Sequence, residues 1–203
     1  MSATDVSPAR RGRPRSRTAD AAILEATRAV LAEDGWAGLT VEGVAARAGV
    51  AKTTVYRRFA SRADLAVEAV AQLVSDARTE PGTSAHEDIA NAIRSCAEVY
   101  GRPAARAAYL AVMAEAGRDD VLRSSVERRV LEPGRQLVVE GLDRAVGRGE
   151  ISRALADDKA DLLYDVLAGA ITHRLLVRQA EIDEAFVESL ARAILVAIRT
   201  PEV

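Results

Sequence analysis

The 203 residues are 49% apolar and 29% charged, a mixture suited to a folded core with a wet surface, and no apolar run approaches the roughly 20 residues needed to cross a bilayer. A net charge of -2 hides an asymmetry: residues 1–62 hold 11 Lys/Arg against 6 Asp/Glu, whereas the remainder holds 17 against 24. One end suits a polyanion and the other does not, which excludes a general basic coat for nucleic acid.

Apolar positions recur at helical spacing almost throughout, and strand-like alternation never persists, so the chain is predicted to be all-α. The first helix is expected over 19–34, with Ile23, Thr27, Val30 and Leu31 on one face, Thr18 as N-cap and Gly35 as stop. Short helices follow at 41–48 and 53–59, broken at Gly49, and a longer one at 62–78 opens on the capping pattern of Ser61 and Asp64. Pro81 and Gly82 mark a linker, and Ser84 with Glu87 starts a fresh helix over 85–101. Further helices are expected at 104–116, 120–146, 157–179 and 183–199, making about nine, with a bend in the seventh at Pro133. The implied division is a basic arm at 1–17, a DNA-binding domain at 18–79 and a larger helical bundle at 83–203.

The basic N-terminus has no apolar stretch behind it that could serve as a signal-peptide core, so a cytoplasmic location is expected. Cys96, the single cysteine, cannot form an internal disulfide and sits on an apolar helix face. His86 and His173 lack a Glu three positions earlier, and neither a cysteine pair nor a phosphate-binding glycine loop is present. A helical-bundle enzyme or metal carrier is therefore disfavoured, and no cofactor or metal is expected.

The segment TVEGVAARAGVAKTTVYRRF, residues 40–59, has helix-turn-helix spacing. Val44, Val50 and Val55 face inward, Ala45 is small enough for a close helix crossing, and Gly49 allows the positive φ of the tight turn. The second helix then presents Lys52, Thr53 and Thr54 at its N-terminal end, where side chains reach base edges in a major groove. Thr40, Tyr56, Arg58 and Arg62 surround it as candidate phosphate contacts, Thr40 being equally placed to cap a helix. Arg10, Arg11, Arg13 and Arg15, spaced by Gly12 and Pro14, suit a flexible arm in a narrow minor groove.

With its flanks, the run GWAGLTVEGVAARAGVAKTTVYRRFASRADL closely resembles the DNA-binding domain of the TetR family of bacterial regulators, over about residues 18–66. The resemblance implies an operator-binding homodimer whose helical C-terminal domain encloses a pocket for a small-molecule effector. It also implies that the last two helices pair across a twofold axis. On that reading Leu163, Leu167, Ala170, Ile171, Phe186, Leu190 and Ile194 are candidates for the dimer interface, and Tyr100, Tyr109, Met113, Tyr164 and His173 for the pocket. A regulator whose body only dimerises, without a ligand, is the alternative. Repression is the commoner behaviour that the resemblance implies.

Overall fold

The computed structural model describes residues 14–78 and 80–199. Among them every regular element is helical: ten α-helices and two short π-helical turns. Helix α1 (Pro14–Gly38) begins earlier than expected, since a proline is well tolerated in the first turn, and Thr18 lies inside it instead of capping it. Its regular run stops at Gly35, whose φ of 65° and ψ of -167° only glycine adopts readily. Helices α2 (Val41–Ala48), α3 (Lys52–Tyr56) and α4 (Arg62–Asp76) complete the N-terminal group. The third is shorter than expected, because the chain turns after Tyr56 to bury Phe59, whose amide donates to the Val55 carbonyl at 2.9 Å.

The body comprises α5 (Ala85–Gly101), α6 (Pro103–Ala116), α7 (Asp120–Val126), α8 (Glu132–Gly147), α9 (Arg153–Thr172) and α10 (Glu184–Arg199). The single helix expected over 120–146 is divided, and the break precedes the proline. Residues Glu127–Leu131 form a π-turn in which the Glu132 amide donates to the Glu127 carbonyl, five residues back. Pro133 has no N–H for the preceding turn, and the widened turn absorbs that loss. A second π-turn, His173–Val177, ends α9.

One core joins the N-terminal helices to the body. Ile23, Val30 and Leu31 of α1, Val44 of α2, Val55 of α3 and Leu65, Val67 and Val70 of α4 belong to it. Ala108 and Val112 of α6, Leu122 and Val126 of α7, and Val130 of the π-turn belong to the same cluster. Two smaller cores lie among α5, α8, α9 and α10.

The segment entering α5 is tied to the end of α8 by charge. Asp88, 5% exposed, accepts from the Gly82 amide at 2.9 Å, from Arg144 at 3.1 Å and from Arg148 at 2.7 Å, while Glu150 accepts from the Ala85 amide at 3.0 Å. Burial raises the Asp88 carboxyl, but the donors, led by Arg148, outweigh it and hold the group below the ordinary carboxylate range. A depressed native pKa contributes stability that is present above the unfolded value and lost as pH falls through the native one. Asp88→Asn is therefore expected to lower the stability measured by urea unfolding at pH 7 by about 2 kcal/mol. The gap from wild type should stay constant down to about pH 4 and close below it.

Candidate functional site

Helices α2 and α3 cross at buried Val44, Ala45 and Val55, and Gly49 turns the chain between them at φ 67° and ψ 31°. The Thr40 hydroxyl accepts from the Gly43 amide at 3.0 Å, so it caps α2. Lys52 and Thr53 are exposed on α3, Thr54 is half-buried beside them, and the exposed Tyr56 ring lies 5.5 Å from the Lys52 ammonium. Lys52 also pairs with Glu42 of α2, an ion pair across the turn that sequence reading overlooked. Arg62 stands at the start of α4 with its guanidinium 5.4 Å from the Trp36 ring, a cation–π contact that sets its direction.

Arg58 departs from its expected place. It is only 17% exposed, pairs with Asp20 of α1 and donates to the Thr54 carbonyl at 3.2 Å, so its guanidinium ties α3 to α1. Arg57, one position earlier, is exposed and has no ion pair among the described residues. Two adjacent arginines at the end of a short helix look alike in sequence, and packing separates them. Of the expected arm, Arg15 falls in the first turn of α1, while Arg10, Arg11 and Arg13 lie outside the described residues.

A cavity of about 210 Å3 opens in the body. Its walls come from the C-terminal end of α4 (Val74) and the two residues just past it (Ala77, Arg78), from the π-turn (Val130, Leu131), and from α5, α6, α8, α9 and α10. Tyr100 and Tyr109 meet edge to face at 5.4 Å between ring centres, and Tyr164 lies against Gly134, which leaves it room by having no side chain. Burial pushes the Cys96 thiol up to about 11 and the Tyr164 hydroxyl up to about 12. Tyr100 and Tyr109 are raised for the same cause, so all four are uncharged at neutral pH.

These features match known proteins over nearly the whole chain. Residues 23–69 match the family described as bacterial regulatory proteins, tetR family, and residues 79–194 match the tetracyclin repressor-like C-terminal domain. The chain belongs to the TetR family. It is 30% identical to the DNA-binding transcriptional repressor TetR of Mycobacteroides abscessus, covering 92% of this chain and 97% of that one. A helix-turn-helix transcriptional regulator of Mycobacterium tuberculosis is also 30% identical, over 84% of this chain and 87% of its own. Among solved structures, a TetR-family regulator from Rhodococcus sp. superposes with a TM-score of 0.74 at 26% identity, covering 90% of this chain and 99% of that one. The TetR family transcription regulator SCO0332 gives 0.68 at 30% identity, covering 88% and 97%. This chain is thus a DNA-binding transcriptional regulator of the TetR family, and the similar proteins are regulators too.

The remaining expected residues of this TetR-family chain divide by position. Tyr100, Tyr109 and Tyr164 line the cavity. Met113 packs instead against the core that joins the N-terminal helices to the body, and His173, expected in the pocket, is exposed at the start of the second π-turn. The dimer candidates require a larger correction. Leu163, Ile171 and Ile194 are buried in this chain's own cores, Leu167 and Leu190 pack against them, Ala170 is half-buried, and the Phe186 ring is covered by the Arg174 guanidinium at 4.2 Å. The large exposed apolar side chains on these helices are Leu162 (58%) and Val166 of α9 and Val196 (65%) of α10, and the smaller Ala193 of α10 is exposed as well. Both helices carry apolar residues on two faces, and spacing does not say which face turns inward.

Thr40→Ala is expected to cost about 1 kcal/mol of stability in urea unfolding, through the lost cap, whereas Thr40→Ser should keep it.

Proposed function

We propose that this TetR-family chain is a cytoplasmic homodimeric repressor that leaves its operator when a small molecule occupies the cavity. The observation that carries this reading is the position of α4. Its N-terminal half packs on the helix-turn-helix, while Val74 at its other end and Ala77 and Arg78 just past it line the cavity. A second link runs beside it. Val130 and Leu131 of the π-turn line the cavity, and Arg129 between α7 and α8 holds Asp64 at 2.6 Å and also pairs with Glu68, both on α4. A ligand that prefers one arrangement of the π-turn would move α4 and with it the recognition helix.

On the DNA side, Lys52, Thr53 and Thr54 read base edges, while Thr40, Tyr56, Arg57 and Arg62 hold phosphates. Arg58 positions α3 through Asp20. Arg10, Arg11 and Arg13, together with Arg15 in the first turn of α1, would contact the minor groove. The DNA-binding domain covers residues 18–79 and the ligand-binding and dimerisation domain 83–203. Two copies join through α9 and α10 at the exposed face of Leu162, Val166 and Ala193, with their recognition helices about 34 Å apart in one state. Repression follows the described role of the Mycobacteroides abscessus relative.

The test is fluorescence anisotropy with the DNA flanking the chain's own gene, with and without ligand. Ligand should weaken operator binding, and saturating operator should weaken ligand binding by the same factor. Ligand affinity indifferent to operator would end the derepression reading. Arg129→Gln should retain ligand binding and reduce that factor towards one. Leu162→Glu should give monomers in sedimentation velocity, with the helical signal unchanged and operator affinity lowered at least tenfold. A stable dimer of this variant would place the interface elsewhere.

A further inference from the structure

The cavity's lining speaks to the chemistry of what it holds. Its interior is apolar, with Ile89, Leu137, Val138, Leu163 and Ile194 among the walls. Four charged side chains reach it, and they cancel in pairs. Arg78 faces Glu140 at 3.4 Å, both at an exposed position, and Arg144 faces Asp88 at 3.1 Å. Asp88 is further engaged by Arg148 and the Gly82 amide, so no acid or base is left over for a charged guest. Taking an ion from water into such a site without a counter-charge is strongly unfavourable.

Of the hydroxyls on the wall, that of Thr172 donates to the Ala168 carbonyl at 2.7 Å, and three remain. Tyr100, Tyr109 and Tyr164 stand on the cavity wall, and none of their hydroxyls has a hydrogen-bond partner among the described residues. None is sealed away as a buried unsatisfied atom either, so each hydroxyl keeps accessible surface. Buried tyrosine hydroxyls ordinarily find a partner, and three left open beside one apolar space form a set of donors awaiting an acceptor. Burial keeps them protonated, which suits donation and rules out a phenolate that would attract a cation. The space exceeds the 150 Å3 or so of an apolar cavity that holds a benzene ring, and so takes a ring with several further atoms.

We infer that the effector is an uncharged, largely apolar ring compound carrying one hydrogen-bond acceptor, a carbonyl or ether oxygen, which takes hydrogen bonds from the tyrosine hydroxyls. This rests on the reading of the cavity as the effector site. It excludes lipophilic cations and carboxylates as the ligand class, since each would enter without an opposite charge. Tyr100 and Tyr164 come from different helices, α5 and α9, so an acceptor between them would also bridge two walls of the cavity.

Isothermal titration of the full-length protein with four probes of one size tests this. 1-Tetralone has a ring body and a carbonyl, tetralin lacks the carbonyl, 1-naphthoate is an anion and 1-naphthylmethylammonium a cation. Tetralone is expected to bind about tenfold more tightly than tetralin, and the two ions more weakly than either. A variant with Tyr100, Tyr109 and Tyr164 all changed to Phe should bind tetralone no better than tetralin and leave tetralin affinity as in wild type; this variant's fold is checked by its thermal transition. Equal affinity for tetralone and tetralin, preference for either ion, or binding by none of the four would overturn the inference. Operator anisotropy separates the two layers. If tetralone binds through the tyrosines and the operator is not released, the ligand class stands and the derepression reading falls.

Discussion

Helix α4 has no face that belongs to one domain alone. Seven of its fifteen residues are buried, from Leu65 to Val74, and together they complete the N-terminal core and close one side of the body. Protein interiors are close-packed, so a shift at one end of such a helix cannot be taken up by empty space. The three-helix group could not swing on a free linker; its position is set by how α4, α6 and α7 pack. The apolar continuity from Ile23 of α1 to Val130 of the π-turn is therefore what fixes the helix-turn-helix relative to the body.

The polar contacts sort around that core by purpose. Arg129 bridges to Asp64 and Glu68 where the π-turn meets α4, and Asp64 also accepts from the Ala60 amide at 2.8 Å at the helix start. One carboxylate thus serves both as a local cap and as a tie to the body. Asp88 gathers Arg144 and Arg148 at the base of the cavity, which keeps the approach to α5 rigid while leaving the interior without net charge. Arg58 and Asp20 hold α3 against α1, so the short recognition helix is braced from behind and its other face is free for Lys52 and Tyr56.

The π-turn at Glu127–Leu131 joins these themes. A helix in this register carries one residue more per turn, a packing more easily altered than a regular α-turn, and it occurs where Pro133 denies the next turn its donor. The same five residues supply two walls of the cavity and the arginine that grips α4. On the proposed reading, this is the segment through which an occupant of the cavity would act on α4.

The sequence by itself determined the helical class, the order of the helices and the helix-turn-helix. Those rest on local rules: apolar spacing near 3.6, caps at Thr40, Ser61 and Ser84, and glycines at 35 and 49 whose backbone requires them. Three tyrosines on the cavity wall were also within reach, since large amphipathic side chains on apolar helices gravitate to such places. Tertiary structure alone decided which of two apolar faces on α9 and α10 turned inward, burying Leu163 and Ile194 and leaving Leu162 and Val196 outside. It also decided that Arg58 folds back on Asp20 while Arg57 does not, and that His173 is exposed. Periodicity reports that a face is apolar, but the partner that covers it is brought from far along the chain. Only the packed molecule contains that information.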